Sequence, residues 1–170
     1  MNRFGAAALA LLAAVVAQLM LAPNIAIGTV SPDFLLLVVV TMAFVGGSNE
    51  GAAIGFIAGL AWDFIGSGAV GPMALTMTVT GFTAGLLQEH IFAGSWLLPV
   101  SLVALAALLS ETIYALILLA LGDGSSFGAA LIQHILPTAL YTGLVGIVVF
   151  VPLSRYLRRD KQLTTFRHMA

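Results

Sequence analysis

The chain reads as a series of long apolar runs, broken by Gly, Pro, Ser or an isolated charge. A helix needs about 20 apolar residues to cross a hydrocarbon core of about 30 Å, and six runs approach that length. They predict membrane-spanning helices over Phe4–Ala22, Ser31–Gly47, Asn49–Ile65, Pro72–Gln88, Ser95–Leu121 and Phe127–Val151. The first follows Arg3 and ends at Pro23-Asn24. It is long for the apolar part of a signal peptide and no clean small-x-small site follows it, so it reads as a retained helix. The second opens on Ser31-Pro32-Asp33, with Ser31 expected as N-cap, Pro32 at the first helical position and Asp33 beside the positive helix end. Runs two and three are short, roughly 25 Å of helix each. They read as full crossings whose ends neighbouring helices cover, with a re-entrant hairpin as the alternative.

Composition removes the soluble alternative. Hydrophobic residues make up 61% of the 170 and charged residues 8%, against roughly 25% charged in soluble domains. Mean hydropathy is +1.11. Cysteine is absent, which excludes disulfide frameworks, thiol catalysis and thiolate metal sites. The net charge of −1 says less than the placement of the charges. Arg3 precedes the first run, Arg155, Arg158, Arg159, Lys161 and Arg167 follow the last, and no intervening loop holds a Lys or Arg. The excess of basic residues on cytoplasmic segments then puts both termini in the cytoplasm, which requires an even number of crossings. The expected architecture is an all-α bundle of six transmembrane helices over residues 1–153, followed by a short basic tail over 154–170. In that tail Arg155, Arg158, Arg159 and Lys161 form a cytoplasmic anchor that also meets anionic lipid. A docking segment for a cytosolic partner is the sharper alternative.

Depth can then be assigned to each intramembrane polar side chain. Gln18, Asp33, Asp63, Glu111 and His134 all fall in the outer half. Ionisable groups facing lipid cost several kcal/mol, so such residues face a bundle interior or water. An outward polar pocket lined by some of these five is expected, with Asp33 and Asp63 alternatively interfacial helix caps. Glu111 lies deep in an apolar run and needs a partner, a proton or water. His134 is the intramembrane side chain able to carry positive charge, so a Glu111–His134 pair is expected.

Gly51, Gly55, Gly59 and Asp63 recur at four-residue intervals on one helix face, and Gly81 and Gly85 repeat the device on the next run. Small residues at this spacing let another backbone approach closely in lipid. The face suits packing against another span or a partner helix. A smaller notch is expected at Gly143 and Gly146.

No phosphate-binding loop, HExxH zinc motif or GxSxG nucleophile elbow is present. Ser110-Glu111 with His134 lacks a third group to orient it, and Gly122-Asp123-Gly124 reads as a turn. No catalytic residue, metal site or cofactor is expected. The few basic residues leave no nucleic-acid surface.

The stretch Gly55-Phe56-Ile57-Ala58-Gly59-Leu60-Ala61-Trp62-Asp63, with Gly66-Ser67-Gly68, Gly71, Ala74-Leu75, Gly81 and Gly85, resembles the central segment of MreD, the bacterial rod shape-determining membrane protein family. The Pro32-Asp33 opening and the basic tail are similar too. The resemblance implies a non-enzymatic, multi-pass subunit of the cell-elongation machinery in the inner membrane. It implies direct binding to MreC, a single-span protein with a large periplasmic domain, and direct or indirect links to RodA, its penicillin-binding protein and the MreB filament. The Gly51, Gly55 and Gly59 face would receive MreC's span, and pairing of two copies through the Gly faces stays open. The family also resembles in fold the S-components of energy-coupling factor transporters. The alternative is therefore a vitamin-type substrate-binding subunit, whose coupling face would be Ala6, Ala10 and Ala14.

Overall fold

A computed structural model of the chain describes residues 3–28, 30–66, 69–91, 98–122, 135–146 and 148–149. These form α1 (Arg3–Met20), α2 (Phe34–Gly46), α3 (Ser48–Ile65), α4 (Pro72–Ile91) and α5 (Leu98–Ala120), with a sixth helix, α6, over 135–146. No strand occurs among the described residues, and an isolated bridge joins Ile27 to Val30. His134 and the basic tail, with Arg155, Arg158, Arg159 and Lys161, lie outside the described residues, and so does the expected Glu111–His134 pair.

The centre of the bundle is α2. Its sequence, FLLLVVVTMAFVG, has no polar face, and every residue from Leu35 to Phe44 is buried. A helix that is apolar all round belongs inside. Thr41, its hydroxyl residue, turns back to donate to the Leu37 carbonyl at 2.6 Å. Helices α1, α3, α4 and α5 pack around α2. With 13 residues it is about 20 Å long, short for a bilayer. Protein rather than lipid surrounds it, so its length is not tied to membrane thickness.

The start of α2 corrects one sequence expectation. Asp33, not Ser31, is the N-cap, its Oδ1 accepting from the Leu36 N–H at 2.9 Å, and Pro32 lies before the helix. Asp33 wins because its side chain reaches the third helical N–H from the residue that directly precedes the helix.

Helices α3 and α4 form the closest-packed pair. A Cβ added at Gly51 would strike the Gly81 carbonyl, one at Gly55 the Met77 carbonyl, and one at Gly59 the Met73 carbonyl and the Ala74 Cα. From the other side, a Cβ on Gly81 would strike Gly51 and one on Gly85 the backbone of Ser48. The glycine face is thus filled from within the chain. It is not a groove for MreC's span or for a second copy, because α4's own backbone occupies the space that a partner helix would need.

Outside, the helices present aliphatic side chains. Leu12 on α1, Val79 on α4, Leu105 and Leu116 on α5, and Leu140 and Leu144 on α6 are all exposed. Within α5, Ser101–Ala120 has a mean hydropathy of 2.3 and is long and apolar enough to cross a membrane. An apolar exterior of this extent suits lipid rather than water.

The backbone contact makes a sharp stability prediction. Gly55→Ala should cost about 2 kcal/mol, in the range for overpacking a tight contact. Gly66→Ala, whose Cβ would sit 3.4 Å from the Trp62 carbonyl, should stay within about 0.5 kcal/mol of the parent. Unfolding of detergent-solubilised protein reads both, and equal effects would contradict the packing.

Candidate functional site: a capped pocket at one end of the bundle

At one end of the bundle α2 and α4 both begin, and each start is capped by side chains from elsewhere. The first N–H of α2, on Phe34, donates to the Gln18 Oε1 of α1 at 2.7 Å. The Gln18 amide in turn donates to the Pro32 carbonyl at 3.3 Å. The Asp33 N–H donates to the Thr142 Oγ1 of α6 at 3.1 Å. Orphan N–H groups at a helix start need such partners, above all where no water reaches them.

The start of α4 has no cap of its own. Gly71 precedes the helix at φ +120, a conformation that glycine alone adopts readily, and the first residue, Pro72, has no N–H. The remaining donors go to one carboxylate. Asp63, at the end of α3 and 8% exposed, accepts from the Gly71 N–H at 2.9 Å, the Met73 N–H at 3.2 Å and the Ala74 N–H at 3.0 Å. Its charge also meets the positive end of α4.

Beside these caps lies a cavity of about 380 Å³. Gln18, Ser31, Asp33, Trp62, Glu111 and Tyr114 contribute polar or aromatic wall, while Met73, Met77, Leu118 and Ile135 contribute apolar wall. Of the five residues expected in a polar pocket, Gln18, Asp33 and Glu111 line it together. Asp63 does not: its carboxylate is turned into the α4 backbone, so of its two expected places, pocket wall and helix cap, it takes the cap. His134 lies outside the described residues.

Sequence reading missed Trp62, Tyr114 and Thr142. A usable signal for Tyr114 was present: Glu111, Tyr114, Ala115 and Leu118 fall at i, i+3, i+4 and i+7, one face of α5. Thr142 carries no local signal, because its contact with Asp33 spans most of the chain.

Chemically, the site offers two carboxyl groups, three hydroxyls (Ser31, Tyr114 and Thr138) and the Trp62 indole in a half-apolar chamber. No described residue donates a hydrogen bond to the Glu111 carboxylate, although it lines the cavity. Among the described residues, no group of three His, Cys, Asp or Glu side chains converges to hold a metal ion.

A buried apolar central helix, an aliphatic exterior and a span able to cross the bilayer define an all-helical integral membrane protein. The family model described as rod shape-determining protein MreD matches residues 2–160, and the chain belongs to that family. It is therefore a component of the rod-shape system. No curated protein and no solved structure matches the chain.

The cap on α4 is testable. Asp63→Ala strands three N–H groups in a water-poor setting and should cost about 3 kcal/mol or more. Asp63→Asn should lose part of that, since its amide nitrogen is a donor facing donors. Chemical unfolding in micelles reads both, and an Ala variant as stable as the parent would remove the carboxylate from this role.

Proposed function

We propose that the protein is a non-enzymatic scaffold of the bacterial cell-elongation complex, binding MreC directly and through it helping to organise peptidoglycan synthesis by RodA and its penicillin-binding protein. MreB on the cytoplasmic side completes the assembly. The family match over residues 2–160 carries this reading. All six helices cross the inner membrane over residues 1–153, the tail over 154–170 stays in the cytoplasm with the N-terminus, and the pocket opens outward. The placement of every Lys and Arg at the two ends of the chain supports that orientation.

With the glycine face filled, MreC's span needs another surface. A groove of about 360 Å³ between α4 and α5 suits it, floored by Ala84 and Ala106 and rimmed by Leu87 and Leu105. Small residues between larger aliphatic rims let a single helix settle close to the bundle.

The S-component alternative draws on the pocket, whose volume and mixed walls suit a small ligand. Its expected coupling face is less suitable, since Ala6 and Ala14 are buried in the core. The fold likeness to S-components is part of this alternative alone.

Two measurements test the proposal. Leu105→Trp, at a residue 53% exposed, should fill the groove and lower MreC recovery in a detergent pull-down about ten-fold, while Leu140→Trp, 67% exposed on α6, should not. Failure of the parent chain to recover MreC, with retention of a small ligand instead, would favour the S-component reading. Orientation follows from the cysteine-free sequence: Ser31→Cys places a unique thiol on the pocket wall. A membrane-impermeant maleimide should label it from the periplasm, and labelling only from the cytoplasmic side would reverse the topology.

A further inference from the structure

We infer that the pocket binds an organic cation, an ammonium or guanidinium group on an aliphatic stem, held between Asp33 and Glu111. This deepens the scaffold reading by naming the chemistry that its pocket accepts.

The backbone and amide donors at the two helix starts are already taken up, while the hydroxyls of Ser31, Tyr114 and Thr138 and the Trp62 indole N–H remain on the pocket wall. The Gln18 amide goes to the Pro32 carbonyl, the Phe34 N–H to Gln18, the Asp33 N–H to Thr142 and the Leu36 N–H to Asp33. The Met73 and Ala74 N–H groups go to Asp63. Of the two carboxyl groups on the wall, Asp33 already accepts from the Leu36 N–H, and no described residue donates to Glu111, which leaves Glu111 as the acidic group with its acceptor capacity unused.

Charge points the same way. Two carboxylates line one cavity, and no Lys, Arg or His occurs among the residues whose side chains are described. Two carboxylates in a chamber with apolar walls cost free energy, which a proton on one of them or a bound cation relieves.

The remaining walls discriminate between kinds of cation. A bare calcium ion wants six to eight oxygen ligands, far more than two carboxylates on separate helices provide. Trp62 and Tyr114 instead supply aromatic rings, which attract ammonium and guanidinium groups. Met73, Met77, Leu118 and Ile135 suit the methylene stem of such a group. The volume of about 380 Å³ falls within the span of small-ligand pockets, roughly 300–1,000 Å³.

The cation can reach the pocket as a free amine or as a basic side chain of a polypeptide, and one titration separates them. The full chain is purified in detergent with Trp96→Phe, so that Trp62 is the fluorescent reporter on the pocket wall. The probes are N-acetyl-lysine amide, N-acetyl-arginine amide, the neutral N-acetyl-norleucine amide, and a hexapeptide carrying one Lys among Gly and Ala. Saturable fluorescence changes are expected with the cationic probes, at least ten-fold tighter than with the norleucine probe. Glu111→Gln and Asp33→Asn should each weaken binding at least ten-fold, and Asn keeps the helix cap, so melting should hold. Should Asp33→Asn unfold, Glu111→Gln decides alone.

Equal affinity for the amide and the hexapeptide supports a free cation, and a ten-fold preference for the hexapeptide supports a polypeptide side chain. Equal binding of the neutral probe, no saturable response, or unchanged affinity in the folded carboxylate variants would overturn the inference. So would binding that emerges only after His134→Ala, since the pocket's cation would then be internal. The measurement needs neither MreC nor a membrane, so its failure leaves the scaffold reading standing.

Discussion

Between α3 and α4 there is no room for a methyl group. The carbonyls of Gly81, Met77 and Met73 stand where the Cβ atoms of Gly51, Gly55 and Gly59 would be, and this contact sets the register of the whole hairpin. In lipid, apolar side chains gain little by meeting each other, so close backbone contact is what holds two helices together. The register has a consequence one turn further on. Asp63 continues the same four-residue stripe, and the antiparallel pairing brings it beneath the first turn of α4, where three N–H groups wait. Glycine ladder and carboxylate cap are one device: the glycines bring the helices near enough for the carboxylate to reach.

The acids at this end of the bundle are thereby sorted by role. Two helices start here, each presenting a partial positive charge and unpaired donors. Asp63 answers α4, and Asp33 with Gln18 answers α2. Side chains that sequence depth alone groups as a polar cluster are, one by one, the termini's own partners. Glu111 differs, since it sits inside α5, away from any helix start, with no described donor.

This separation explains what was legible in the sequence. Helix positions followed from apolar run length, and the glycine spacing announced a close contact. Depth in the membrane left Asp63 either a pocket wall or a helix cap, and the sequence could not choose, because four-residue spacing says that residues share a face without saying what the face meets. The α4 start held an unread clue: Gly71 followed by Pro72 leaves a helix with neither a capping side chain nor a first N–H, so a cap had to come from elsewhere. The competition between Ser31 and Asp33 was decided by which residue directly precedes the helix, a boundary that hydropathy places only within a few residues. Thr142 and Tyr141 were invisible for a different reason. Their partners, Asp33 and Ile25, lie more than a hundred residues away along the chain, and no local pattern encodes such a meeting.

A rigid pocket follows from these same contacts. Its walls are side chains of α1 to α6, and five of these helices are pinned by hydrogen bonds, α1 and α6 to the start of α2 and α3 to the start of α4, while α5 packs against α4 and α2. The central helix beneath is buried along ten consecutive residues, from Leu35 to Phe44. A chamber braced in this way needs little reordering to receive a partner, and the entropy that a mobile site would lose on binding is largely absent. For the scaffold role proposed above, a preformed shape matters more than any reactive group. The caps give the pocket its shape, and Glu111, left out of the capping, is free to give it specificity.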